Sequence, residues 1–170
     1  MENNKNIWEE IVKKLIEKKL TISTMESCTG GGIANEITNI SGASEVLKVS
    51  YVTYSNEAKI KFGVPEKIIE KYTVYSKETA IEMAKAAKEQ SKADITIGIT
   101  GQLGRIDPAN PIDKLNVVYF AISDKNDNIT VKQVNVPEES RKKQKEFMIN
   151  KVAEALLDIK WIFCWFNCWG

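Results

Sequence analysis

The sequence predicts an α/β fold: a single three-layer α/β/α domain with a mixed sheet covered by helices. Three observations predict it. Short β-branched runs alternate with helical, amphipathic segments along the first part of the chain. One run, Ile95 to Thr100, is almost continuously apolar, as suits a strand buried on both faces. Two later runs, Leu115 to Ile122 and Ile129 to Val136, flank the polar turn Ser123 to Asn128 and read as a hairpin.

The elements follow in order. Ile7, Ile11, Val12, Leu15 and Ile16 recur at helical spacing, so residues 5–19 form an amphipathic helix. Leu20 to Met25 is short and β-branched, a strand. Gly30-Gly31-Gly32 then turns the chain into a helix marked by Ile33, Ile37 and Ile40. Val46 to Tyr54 is the second strand. Asn56 to Phe62 is a short helix stopped at Gly63, and Val64-Pro65 opens another through Tyr72. Ser76 is a suitable N-cap, with Glu78 in the first turn where it favours the helix dipole. That helix runs to about Gln90, with Ala80, Met83, Ala84 and Ala87 facing inward. Gly101 to Lys114 is a long loop rich in Gly, Pro and Asp, of a kind that often carries function. Glu138 to Asp158 is the last helix.

A chain of 170 residues suits one domain with a real core, and 28% charged residues match an ordinary globular protein. The domain is expected over 1–159. The tail 160–170 crowds three Trp, two Phe and two Cys into a segment that suits neither a capped helix nor a strand. It reads either as an added packing or dimer element, or as an artefact of cloning or reading frame. It is too short to span a membrane.

Net charge is +1, which offers no basic face for nucleic acid. Three cysteines make no disulfide framework. Neither a signal-peptide core nor a membrane-spanning run is visible, so the cytoplasm is the expected compartment. The chain has no histidine. That excludes a Ser-His-Asp triad, a Cys-His dyad and any His-based zinc site. Acid–base chemistry near neutral pH then falls to a perturbed Lys, Tyr, Asp, Glu or Cys, or to the terminal amine.

Four places can carry chemistry. Ser27 lies where a strand ends and a glycine turn opens a helix, at the sheet edge where open α/β folds bind ligands. It is a nucleophile served by the N–H groups of the turn, or it simply caps the helix. Tyr54-Ser55-Asn56-Glu57-Ala58-Lys59 follows the second strand and can reach the same edge. Lys59 is the natural base for a serine if burial lowers its pKa; the plainer reading is a solvated lysine. Thr100-Gly101 ends the third strand, so Thr100 either bonds a substrate or only ends the strand. Arg141 binds a phosphate or carboxylate, or is one surface cation in Arg141-Lys142-Lys143. Cys28 competes with Ser27 for the nucleophile's place. Strand alternation lets only one of the two face the site, and a buried Cys28 is favoured.

Taken in order, several segments resemble the CinA C-terminal domain family. They are Glu26-Ser27-Cys28-Thr29-Gly30-Gly31, Gly42-Ala43-Ser44, Tyr54 to Lys59, Gly63-Val64-Pro65, Val74-Tyr75-Ser76 and Thr100-Gly101. The resemblance covers about residues 7–158. The family's characterised enzymes are bacterial nicotinamide-nucleotide amidohydrolases. The resemblance therefore implies deamidation of nicotinamide mononucleotide to nicotinic acid mononucleotide and ammonia, in pyridine-nucleotide recycling. It implies a small nucleotide substrate, no metal or other cofactor, and self-association into a homo-oligomer. It also implies Ser27 as nucleophile, Lys59 as its base and Tyr54 as an aid to proton transfer. Thr29, Gly30 and Gly31 would form the anion or oxyanion turn, Thr100 and Gly101 would line the site, and Arg141 would hold the substrate phosphate.

One segment departs from the pattern. After Thr-Gly the family usually continues Ile-Ala-Gly-Pro-x-Gly-Gly; this chain reads Gln102-Leu103-Gly104-Arg105-Ile106-Asp107-Pro108. Only Gly104 and Pro108 answer to it, and Arg105 adds a cation. That leaves two other readings open: a hydrolase of the same fold acting on another amide or nucleotide, and a binding module that keeps the pocket without the reaction.

Overall fold

A computed structural model of the chain describes residues 6–111 and 115–159. Its elements are α1 (Ile7–Glu17), β1 (Ile22–Glu26), α2 (Gly32–Thr38), α3 (Ala43–Val46), β2 (Leu47–Val52) and α4 (Asn56–Lys61). They continue as α5 (Glu66–Tyr72), α6 (Lys77–Ser91), β3 (Ile95–Gln102), β4 (Val117–Ser123), β5 (Ile129–Asn135) and α7 (Arg141–Leu157). The strands form one mixed sheet in the order β2-β1-β3-β4-β5. β1 pairs parallel with β2 and β3, and β3–β4 and β4–β5 are antiparallel. The α/β class expected from the sequence is the observed one.

Burial explains the order. Every residue of β1 and β3 is buried, so these strands take the centre, while β2 and β5 are the half-exposed edges. One face of the sheet packs Ile22, Ile95, Ile97, Ile99, Val118 and Phe120 against α1, α2 and α7. The other face carries α6, which sits unusually close to β3. A Cβ placed on Gly98 would lie 2.3 Å from the Ala80 carbonyl oxygen and 2.4 Å from the Ala84 nitrogen. Only glycine permits that approach.

Several boundaries differ from expectation, each for a local reason. The last helix begins at Arg141 rather than Glu138, because Ser140 caps it by accepting from the Lys143 N–H. β3 runs on through Gly101 and Gln102, which the sequence assigned to a loop, because the antiparallel ladder with β4 extends to Gln102 opposite Val117. Val46 closes the short α3 instead of opening β2, since Gly42 in the left-handed region starts a helical turn there. The Ser76 cap is as expected: its hydroxyl accepts the Thr79 N–H at 3.1 Å. The aromatic tail 160–170 lies outside the described residues. No helix among the described residues is long and apolar enough to cross a membrane.

Candidate active site

β1 ends at Glu26, and the chain turns sharply through Ser27 to Gly31 into α2. Two features hold that turn. Gly30 and Gly31 take φ values of +62° and +89°, which side-chain-bearing residues resist. The fully buried Glu26 carboxylate reaches forward to the start of α2. It accepts from the Thr29 hydroxyl at 2.7 Å, the Ile33 N–H at 3.1 Å, the Ala34 N–H at 3.0 Å and the Thr24 hydroxyl at 3.1 Å. An anion at a helix N-terminus meets both the dipole and otherwise unpaired donors. The sequence singled out this motif without foreseeing the task of Glu26.

Ser27 is fixed by its own N–H, which donates to the Ile99 carbonyl at 3.1 Å. Its hydroxyl oxygen lies 3.0 Å from Nζ of Lys59, which projects from α4. Ser55 starts that helix by accepting the Ala58 N–H. The Lys59 amine also donates to the Thr53 carbonyl at 2.7 Å, and the residue is only 1% exposed. Burial pulls its pKa from the ordinary 10.5 down to about 8, against the opposing pull of Cys28, Asp107 and Glu57. Above that pKa the amine is neutral and stands beside the serine hydroxyl as a base in position.

The cleft in front of Ser27 has a volume of about 560 Å³, ample for a small ligand. Among the residues expected at the site, Ser27, Tyr54, Gly101 and Arg141 border it. Arg141 donates through Nη2 to the Tyr54 phenol oxygen at 2.8 Å and through Nη1 to the Leu103 carbonyl at 2.5 Å. Lys59 stands behind Ser27. Thr100 is fully buried, and its hydroxyl donates to the Val74 carbonyl at 2.9 Å, so it is not part of the cleft wall. The Thr29 hydroxyl is taken by Glu26, and the Gly30 N–H by the Ser27 carbonyl at 3.0 Å. The N–H groups of Thr29 and Gly31 have no acceptor among the described residues.

Cys28 also borders the cleft, although it is 4% exposed and packs into the core. Alternation does not separate it from Ser27, because β1 has already ended at Glu26. Burial first, and the Glu26 charge second, push its thiol up to about 12. It is a protonated, unreactive thiol at neutral pH.

The sequence did not assign roles to Tyr75, Asp107 and Asn110. The Tyr75 phenol donates to Asp107 Oδ2 at 2.7 Å, and Asn110 Nδ2 donates to the same oxygen at 2.9 Å. Asn56 Nδ2 in turn donates to Asn110 Oδ1 at 2.9 Å, so the loop is tied to α4. The Asp-Pro-Ala-Asn run signals a turn and nothing more at the level of sequence. Among the described residues no three acidic or cysteine side chains gather as a metal site would require.

With this geometry in view, the comparisons with known proteins agree with one another. The CinA C-terminal domain profile matches residues 4–160. A putative competence-damage inducible protein of Caldicellulosiruptor saccharolyticus is 42% identical over 125 residues, covering 73% of this chain and 30% of that protein. One of the same description from Alkaliphilus oremlandii is 44% identical over 131 residues, covering 75% of this chain and 31% of that protein. The chain thus spans about a third of the length of these curated relatives. The crystal structure of a competence/damage inducible protein from Agrobacterium tumefaciens aligns with a TM-score of 0.81 at 26% identity, covering 91% of this chain and 96% of that one. A profile spanning every described residue, and a shared fold, have one meaning: the chain belongs to the CinA C-terminal domain family.

Proposed function

We propose that the protein is an amidohydrolase that converts nicotinamide mononucleotide to nicotinic acid mononucleotide and ammonia by a serine–lysine mechanism. One observation carries the reading: a buried lysine amine, its pKa drawn down to about 8, stands 3.0 Å from a serine hydroxyl on the wall of a cleft. The nucleotide substrate follows from the family resemblance.

The steps are those of acyl transfer. Neutral Lys59 takes the Ser27 proton as Oγ attacks the carboxamide carbon. The tetrahedral oxyanion accepts from N–H groups of the turn after Ser27, such as that of Thr29, which has no acceptor among the described residues. The Lys59 ammonium then gives its proton to the leaving nitrogen, the C–N bond breaks, and ammonia departs from an ester on Ser27. Water attacks that ester while Lys59 again accepts a proton. The carboxylic acid leaves, and Lys59 returns the proton to Ser27. Arg141, with Arg105 on the same cleft wall, supplies charge for the phosphate. Tyr54, bonded to Arg141 on the wall of the same cleft as Ser27, aids proton transfer in this reading.

Ammonia release from nicotinamide mononucleotide tests the proposal. Ser27→Ala and Lys59→Met should each lose on the order of a thousandfold in kcat. Full activity of Ser27→Ala would overturn the mechanism. A second reading rests on the loop after Gly101, whose Arg105 and Asp107 give the cleft a wall unlike the family's usual one. It retains the Ser27–Lys59 chemistry on a different carboxamide, and turnover of the mononucleotide at ordinary enzyme rates would remove it.

A further inference from the structure

The cleft wall holds one described carboxylate, that of Asp107, together with the cations Arg105 and Arg141. Asp107 belongs to the stretch that departs from the family's glycine- and proline-rich pattern. Its position is built rather than incidental. Oδ2 accepts from Tyr75 and from Asn110, and Oδ1 accepts the Ala109 N–H at 2.9 Å. The bond from Asn56 to Asn110 anchors the whole assembly to α4, the helix that carries Lys59. The bond from Asn110, then those from Tyr75 and Ala109, hold the carboxyl below its usual range, so it is ionised at neutral pH. It forms no ion pair among the described residues, the two cleft arginines included.

An ionised carboxylate that three hydrogen bonds hold in a cleft, with no ion-pair partner among the described residues, is a site for positive charge. The cations Arg105 and Arg141 suit an anion. A ligand that satisfies both kinds of group carries a cationic portion and an anionic portion. We propose that Asp107 selects a positively charged heteroaromatic ring, a pyridinium, over an uncharged ring of the same shape. This rests on the reading of the cleft as a pyridine-nucleotide site and adds the group that recognises the ring. Asp107 acts on binding and needs no part in bond making. Because its charge also reaches Lys59, a bound cation offsets the influence that favours the protonated amine.

The test compares nicotinamide mononucleotide with its 1,4-dihydro form, which has the same carboxamide, ribose and phosphate but an uncharged ring. Titration calorimetry on Ser27→Ala protein measures binding without turnover. The cationic form should bind about tenfold tighter or more at low salt, with the preference shrinking as ionic strength rises. Adding Asp107→Asn, which keeps an acceptor for Tyr75, should bring the two affinities within about twofold, whereas Asp107→Glu should retain the preference. Equal affinity for both forms in the Asp107 protein overturns the proposal without recourse to any variant. So does a preference that survives Asp107→Asn, or binding of neither form. Ammonia assays on protein with Ser27 intact separate the two claims. Charge-selective binding without ammonia release would remove the reaction and leave the selection standing; ammonia release without charge preference would do the reverse.

Discussion

The Thr29 hydroxyl donates to the Glu26 carboxylate at 2.7 Å, with both residues fully buried. This contact closes the turn that presents Ser27, and the same carboxylate takes two N–H groups of α2. Glu26→Ala should therefore leave buried donors unpaired and destabilise the fold by about 3 kcal/mol or more. Urea denaturation measures this as a lower midpoint at unchanged slope. Glu26→Gln, which keeps one acceptor oxygen, should lose less.

Lys59 gives a pH dependence with a definite sign. Its pKa of about 8 in the fold lies below the ordinary 10.5. Between those values the unfolded chain binds more protons at this residue, so its contribution to stability improves as pH rises. Below pH 8 the full penalty applies, about 3 kcal/mol at roughly 1.4 kcal/mol per unit. Lys59→Met should melt above the wild type at pH 7, with the gap narrowing toward pH 10.5, while losing activity. On the proposed mechanism, kcat/KM of the wild type should rise with pH to a plateau above about 8.

Gly98 tolerates no side chain. Its would-be Cβ meets the backbone of Ala80 and Ala84, which cannot rotate aside. Gly98→Ala should push α6 from the sheet and cost about 1–3 kcal/mol, visible as a lower melting temperature. Gly63→Ala separates packing from backbone strain, since Gly63 takes φ +105° but leaves 3.5 Å to its nearest neighbour. A smaller loss at Gly98 than at Gly63 would contradict the close approach.

Cys28 should behave as a core residue. With its thiol pushed up to about 12, modification by alkylating reagents at pH 7.5 should be slow compared with a free thiol. Cys28→Ala should retain activity within about tenfold, at a stability cost of about 1 kcal/mol for the lost packing. Loss of activity comparable to Ser27→Ala, in a folded protein, would reassign the nucleophile.

The parts legible in the sequence are those set by local chemistry. The Ser76 cap, the glycine turn before α2 and the apolar run of β3 are each written in a few adjacent residues. The pairing of Ser27 with Lys59 was also within reach, because both follow strands at one sheet edge and no histidine competes for the task. What escaped depends on contacts made far along the chain. Thr100 stands at the right sheet edge, yet its hydroxyl is directed to Val74, a partner that periodicity cannot reveal. The extension of β3 to Gln102 depends on the facing strand. Asp107 looks like a turn residue until Tyr75 and Asn56 converge on its loop.

Arg141 stitches two walls of the cleft, joining Tyr54 beside β2 to the Leu103 carbonyl after β3. Those two bonds engage one N–H of Nη1 and one of Nη2, and the other three guanidinium N–H donors have no acceptor among the described residues. An incoming anion can therefore bind without displacing the phenol or the carbonyl. The tether to Tyr54, between positions 87 residues apart in sequence, need not break. The anion meets an arginine that both walls already hold in place, so little side-chain freedom is left to lose on binding.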